Sequence, residues 1–261
     1  MALLEVQNLS IFFQGLKAVH DVSFEIAEGE IVGMIGPNGA GKTTIFNLLT
    51  NVYEPTEGEI FVEGKSTLGQ PAYKMVDMGL ARTFQNIRLF KDMSVIDNVK
   101  VGFHYKGRYS IAEAVFRLPA YWREEQLYEK RAGEILDIFG MGDMANLPAC
   151  NLPYGAQRKL EICRAIASGP KLLLLDEPAC GMNASETQEL MDTIRLVKDR
   201  FHTSVLLIEH DMNLVMGICE RLIVLNYGQV LAQGDPEEVR NNPEVIRAYL
   251  GSEGDPNALG C

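Results

Sequence analysis

The run Gly36-Pro37-Asn38-Gly39-Ala40-Gly41-Lys42-Thr43-Thr44 fits the spacing G-x-x-x-x-G-K-[ST], which builds a phosphate cradle. Glycines let the backbone curl until successive N–H groups point inward and form a nest for anionic oxygens. A helix starting at the end of such a loop adds the positive end of its dipole. Asn38, Gly39, Ala40, Gly41 and Thr44 supply the loop and its N–H groups. Lys42 reaches toward the β- and γ-phosphates, and the Thr43 hydroxyl is placed to hold Mg²⁺. The competing reading is a glycine-rich turn between strand and helix that carries no ligand.

A second set of groups stands at Asp176-Glu177-Pro178. The four leucines before it read as a buried strand, so two adjacent carboxylates at its end are not there for packing. A buried carboxylate pair is costly unless a cation or a reaction uses it. Asp176 would ligate Mg²⁺, directly or through water, and Glu177 would polarise an attacking water as general base. Otherwise the pair is a capping or turn feature. His210, in Glu209-His210-Asp211, can donate to a γ-phosphate from the end of a third strand, or it is an ordinary loop histidine. Gln85, after Leu80–Phe84, can touch both Mg²⁺ and the lytic water, or it is an ordinary surface glutamine.

These groups need strands and helices to aim them. Glu30–Ile35 before the glycine loop is a short apolar run, and Thr44–Thr50 after it reads as a helix. Strand, glycine loop and helix in that order favour the phosphate reading. Lys171–Asp176 and Ser204–Glu209 are continuous apolar runs of the kind found in covered parallel strands. Ligands of open α/β sheets gather at the carboxyl ends of such strands. Residues 3–35 read as short strands, among them Leu4–Val6 and Val22–Ile26, and a further strand covers Glu59–Gly64. Residues 71–79 read as helical.

From 88 to 151 the valine-rich strands give way to a helical insert. Val95, Val99 and Phe103 sit at helical spacing, and Glu124–Ile138 carries an apolar stripe of Leu127, Ala132, Ile135, Leu136 and Ile138. Asn183-Ala184-Ser185-Glu186 predicts a capping box, with Leu190, Met191, Ile194 and Val197 as the buried face of its helix. Asn226-Tyr227-Gly228 between two apolar runs predicts a hairpin. A terminal helix over 243–250 then precedes a Gly/Pro/Asn-rich tail, 251–261, expected to be flexible.

The chain has 261 residues, is 47% hydrophobic and has a formal net charge of −11. It can bury a sizeable core, and alternating strands and helices argue for α/β architecture. The acidic balance speaks against a nucleic-acid partner, although Arg158, Lys159 and Arg164 could form a local basic patch. Five widely spaced cysteines without C-x-x-C read as plain thiols of a reducing cytoplasm. No segment is apolar over the length that spans a bilayer, so any membrane role needs another chain to carry it there.

Taken together, these segments resemble the nucleotide-binding domain of an ABC transporter over residues 3–250. Gly36–Thr44 resembles Walker A, Leu172–Glu177 Walker B with its catalytic glutamate, Gln85 the Q-loop and His210 the switch histidine. Leu152-Pro153-Tyr154-Gly155-Ala156-Gln157 falls at the family signature. The resemblance implies a P-loop NTPase with a RecA-like, mostly parallel core and an N-terminal antiparallel β subdomain, together 1–87 and 152–250. The insert 88–151 is implied to be the helical subdomain that docks on membrane subunits. It also implies that Phe13 stacks on adenine, with Phe12 a second candidate. Two cassettes, identical or paralogous, would sandwich two ATP molecules, so that Pro153, Tyr154 and Gly155 meet the nucleotide held by the partner.

Ala81–Phe90, Met93–Val99, Tyr154–Ile162 and Glu177–Asn183 are more particularly similar to the ATP-binding subunits of branched-chain amino acid importers. Those are five-part systems in which a substrate-binding protein feeds two permease subunits driven by two ATPases at the cytoplasmic face of the membrane. Pro153 departs from the family serine, Tyr154 from the first glycine and Ala156 from the glutamine, and Asn183 replaces a common Asp. Proline has neither hydroxyl nor N–H, so the contact to the partner's γ-phosphate loses its usual donor. Three other readings stay open on sequence grounds: a soluble ABC-type ATPase such as an iron–sulfur assembly cassette, a transporter cassette for urea or lipid export, and a module that binds ATP without turnover.

Overall fold

A computed structural model describes residues 2–107 and 110–253. The chain divides into two compact units, one of residues 1–85 with 171–261 and the other of Asn86–Pro170. In chain order the first unit opens with β1 (Ala2–Phe13), β2 (Leu16–Ala27), β3 (Ile31–Ile35), α1 (Lys42–Leu49), β4 (Glu57–Val62), β5 (Lys65–Ser66), α2 (Lys74–Asp77) and β6 (Leu80–Arg82). The second unit holds α3 (Val95–Val101), α4 (Ile111–Val115), α5 (Pro119–Ile138) and α6 (Tyr154–Ala167). The first unit resumes with β7 (Leu172–Asp176), α7 (Ala184–Phe201), β8 (Ser204–Ile208), α8 (Met212–Ile218), β9 (Arg221–Asn226), β10 (Gln229–Gly234), α9 (Pro236–Arg240) and α10 (Pro243–Glu253).

Two sheets form the first unit. An antiparallel sheet has the order β2-β1-β4-β5, and a six-stranded sheet has the order β10-β9-β3-β8-β7-β6. Strands β9, β3, β8, β7 and β6 run parallel, and β10 adds antiparallel to β9. Every residue of β3, β7 and β8 is buried, as expected of parallel strands covered on both faces. The glycine loop, Gln85, Glu177 and His210 follow β3, β6, β7 and β8. In a parallel array these four exits lie on one edge of the sheet.

Several elements differ from the sequence reading for physical reasons. Strands β1 and β2 are each 12 residues long, not short, because bulges shift their register and hide the alternation that marks a regular strand. The helix over 71–79 shrinks to Lys74–Asp77, flanked by turns. Helix α5 starts five residues earlier than read, with Pro119 at its first turn. Leu127 and Ile138 are 42% and 39% exposed rather than part of its buried stripe. Tyr128 is buried instead, its ring stacked on Phe103 at 5.6 Å. Helix α6 groups with α3 and α5 rather than with the sheet. Arg158 is no part of a basic patch: it is fully buried and donates to Glu161 at 2.7 Å. Helix α10 runs on to Glu253, and the rest of the expected tail lies outside the described residues.

Other expectations hold. Asn183 caps α7 by accepting from Ser185 N and Glu186 N, and Glu186 reaches back to the cap. Leu190, Met191, Ile194 and Val197 are the buried face of that helix. Tyr227 and Gly228 take φ of 47° and 77°, the two positive angles of a tight hairpin turn between β9 and β10. Among the described cysteines, Cys163 and Cys219 are buried, Cys150 and Cys180 are exposed, and none is in a disulfide. Burial pushes the Cys219 thiol up to about 12 and the Cys163 thiol higher still. Asn183→Ala should cost about 1 kcal/mol in urea denaturation. Asn183→Asp, which keeps an acceptor, should cost only a few tenths.

Candidate active site

The loop leaving β3 is shaped by close backbone approach. Gly36 has φ 150°, and a Cβ there would run into the Leu225 carbonyl oxygen. Gly41 is the left-handed N-cap of α1 with φ 101°, and a Cβ there would sit 2.8 Å from the Ala18 carbonyl oxygen. Any larger residue would push the loop off β9 and β2. Ala40 N–H closes the turn on Pro37 O at 3.1 Å, and Ile45 N–H begins the helix on Gly41 O at 3.0 Å. Helix α1 starts at Lys42, two residues before the sequence reading, so its open N–H groups belong to the loop itself.

Lys42 is buried at the first position of α1. Its Nζ donates to Gly36 O at 2.5 Å and Pro37 O at 3.0 Å. An ammonium has three N–H groups, so one remains for an anion. Burial holds its pKa below the ordinary lysine value, and the negative Glu177 nearby opposes that shift. A cavity of about 340 Å³ opens over this loop, lined by Asn38–Thr44 together with Lys17, Glu177, His210 and Tyr227. Its wall is thus cationic and N–H-rich on one side and carries a carboxylate and an imidazole on the other.

Glu177 sits in the left-handed region with φ 44°, uncommon for a residue with a Cβ. Strain of this kind costs on the order of 1–3 kcal/mol and concentrates at functional sites. Glu177 N–H donates to Ile208 O at 2.9 Å, which holds the turn against the end of β8. Its Oε2 accepts from Gln85 Nε2 at 2.5 Å, and its Oε1 lies 3.0 Å from His210 Nε2. Three residues far apart in sequence therefore meet on one carboxylate. Each oxygen keeps a second lone pair, so the group can be held and still take a proton.

Asp176 is buried at the end of β7, and its Oδ2 accepts from Arg82 Nη2 at 2.7 Å. The other arm of Arg82 reaches Asn47 Oδ1 at 2.8 Å on α1. The guanidinium lies 5.5 Å from the Phe46 ring and 5.1 Å from the Phe84 ring. One arginine thus joins the strand of Gln85, the strand of Asp176 and the helix that follows the glycine loop. Sequence reasoning assigned Arg82 no role. The available signal was a cation inside a buried strand, which requires a carboxylate within reach. Tyr249 of α10 is a second such residue: burial pushes its phenol up to about 12, against a bond from the Gly36 backbone. It ties the C-terminal helix to the start of the glycine loop.

Thr43, Gln85 and Asp176 offer a hydroxyl, an amide and a carboxylate, hard oxygen donors of the type that Mg²⁺ takes. Phe13 does not line the cavity; it is 39% exposed and makes a T-shaped contact with Tyr53 at 5.3 Å between centroids. Pro153, Tyr154 and Gly155 belong to the second unit. There Pro153 is the N-cap of α6, with φ −56° and ψ 155°, and Tyr154 is 41% exposed. Helix α6 starts at Tyr154, so Tyr154, Gly155, Ala156 and Gln157 form its first turn.

Residues 19–180 match the family described as ABC transporter. The chain belongs to the ABC transporter family. Residues 229–255 of this cassette also match the description branched-chain amino acid ATP-binding cassette transporter. The high-affinity branched-chain amino acid transport ATP-binding protein LivG of Salmonella typhimurium is 48% identical over 95% of this chain and 98% of its own. The corresponding protein BraF of Pseudomonas aeruginosa is 45% identical over 95% and 98%. The lipopolysaccharide export system ATP-binding protein LptB of Acidithiobacillus ferridurans is 33% identical over 96% and 98%. Among solved structures, the ADP conformation of an ATP-binding cassette superposes with a TM-score of 0.83 at 28% identity, covering 96% of this chain and 99% of that one. The cassette is accordingly a P-loop ATPase with the mixed α/β fold of that family.

The Arg82–Asp176 pair is buried, with side-chain exposures of 8% and 7%. Arg82→Met should therefore destabilise the cassette by about 3–5 kcal/mol in denaturant titration, because it strands a buried carboxylate. Adding Asp176→Asn should recover part of the loss; an exposed, dispensable pair would show neither effect.

Proposed function

We propose that this cassette is the ATP-hydrolysing subunit of a branched-chain amino acid importer. The meeting of Gln85 and His210 on Glu177, beside the Lys42 cavity, carries the hydrolytic reading. The identity to LivG and BraF, and the match of residues 229–255, support the substrate class.

In this reading the N–H groups of Asn38–Thr44 and the free N–H of Lys42 bind the triphosphate. Thr43, Asp176 and Gln85 would hold Mg²⁺, which when bound would neutralise phosphate charge. Glu177 takes the proton of the attacking water. Gln85 and His210 fix the direction of its carboxylate, and His210 can turn its N–H to the γ-phosphate. Phe13, partly exposed and in a T-shaped contact with Tyr53, would stack on adenine.

The assembly is proposed by family resemblance. Two cassettes close over two nucleotides, with Pro153, Tyr154 and Gly155 of each facing the nucleotide held by the other. The open N–H groups at the start of α6 then stand in for the missing serine hydroxyl. The unit of residues 86–170 is the side offered to two permease subunits, which a substrate-binding protein supplies. No described helix is long and apolar enough to cross a membrane, so the permeases hold the cassette at the cytoplasmic face.

The test is Glu177→Gln in the cassette coexpressed with its permeases. Hydrolysis and leucine uptake should fall by about 10²-fold or more, while an ATP-bound dimer accumulates on gel filtration. Turnover at the wild-type rate would falsify the role of Glu177. Urea uptake in place of leucine uptake would move the substrate class alone. Pro153→Ser, which restores a hydroxyl donor, should strengthen ATP-dependent dimerisation of the Glu177→Gln form. Unchanged dimerisation would leave the contact to the backbone of α6.

A further inference from the structure

Glu209 is a buried carboxylate with no task in the mechanism above. It follows β8, precedes His210 and is 3% exposed. Its Oε1 accepts from the backbone N–H of Ala179 at 2.6 Å. Its Oε2 accepts from the backbone N–H groups of His210 at 2.9 Å and Asp211 at 3.4 Å. Burial raises its pKa above the ordinary glutamate value, and the three N–H groups together with His210 offset only part of that rise.

The bonds span the two loops that matter for water activation. The ladder between β7 and β8 ends at the pair Asp176–Ile208, and Glu177 N–H on Ile208 O is the rung after it. Beyond that point the strands turn apart. The Glu209 side chain spans the gap: one oxygen takes the loop that follows Glu177, the other takes the turn that carries His210. On its far side that turn is fixed by Asp211, whose side chain accepts from Asn213 N and Leu214 N. The His210 side chain itself is 42% exposed, so packing restrains it little and its backbone anchor matters more. Hydrogen bonds that a carboxylate accepts from backbone N–H groups are stronger than neutral ones, enough to set a loop.

We propose that Glu209 is a positioning residue for ATP hydrolysis, tying the loop after Glu177 to the His210 turn so that His210 stays within hydrogen-bond reach of Glu177. The proposal rests on the ATPase reading of Glu177 and His210. It acts through backbone, not through contact with nucleotide.

Glu209→Gln separates acceptor from volume. The amide fills the same space but has one accepting oxygen, and its NH₂ faces a backbone donor. The experiment measures ATP turnover and nucleotide affinity for the full-length wild type, Glu209→Gln, His210→Ala and the double variant. Glu209→Gln should lower kcat about tenfold with KM for ATP within about twofold, since a misplaced group costs rate rather than binding. On the His210→Ala background the same change should cost less than about twofold, because the step it serves is already lost.

A wild-type kcat for Glu209→Gln, a loss confined to KM, or penalties that multiply in the double variant would each overturn the proposal and leave the ATPase reading standing. A wild-type rate for His210→Ala would take down the role of His210 and this proposal together. Should Glu209→Gln not fold, amide exchange of the wild type decides. Ala179 N–H should exchange as slowly as the ladder amide of Glu177, and fast exchange there overturns the proposal.

Discussion

A parallel strand buried on both faces has to keep its polar groups for its ends, and this cassette puts that constraint to use four times. Strands β3, β6, β7 and β8 lie in register through the core, and their carboxyl ends carry the glycine loop, Gln85, Asp176-Glu177 and Glu209-His210. Burial of the strand interiors therefore does more than supply stability. It fixes the spacing of the exits, and the side chains that meet at this edge do so because their strands are neighbours in one sheet.

The charged groups at this edge are each given a specific partner, because burial is costly for an unpaired charge. Asp176 has Arg82, Glu177 has Gln85 and His210, Lys42 has two loop carbonyls, and Glu209 has three backbone N–H groups. Arg82 and Glu209 stand on opposite sides of β7. The first ties it to α1 and the second ties its loop to the turn after β8. The strained backbone at Glu177 persists between them, over-determined by Ile208 and by its own side-chain bonds.

The second unit is organised by a different interaction. Glu161, nearly fully buried on α6, accepts from Arg158 of its own helix and from the backbone N–H of Arg88. The segment that follows Gln85 is thereby fastened to the helix whose first turn is the signature. A proline at the N-cap of that helix gives up the side-chain cap but suits the extended backbone there, and leaves the first N–H groups of α6 to other partners.

The sequence alone marked the candidate chemical groups and the local elements that carry them. The P-loop spacing, the carboxylates after a leucine run, the capping box at Asn183 and the Tyr227-Gly228 hairpin are each written within a few residues, where periodicity, φ preference and burial act locally. The full length of the bulged strands β1 and β2 and part of the stripe of α5 were not legible: bulges break the alternation, and beside the expected Ala132, Ile135 and Leu136 it is Tyr128 rather than Leu127 that turns inward. Only the tertiary structure decided which side chains meet. Arg82 with Asp176, Gln85 and His210 on Glu177, and Glu209 with Ala179 are contacts between different strands, and their sequence separation carries no period. They exist because strand order in the sheet sets neighbours, and strand order is a property of the whole packed core.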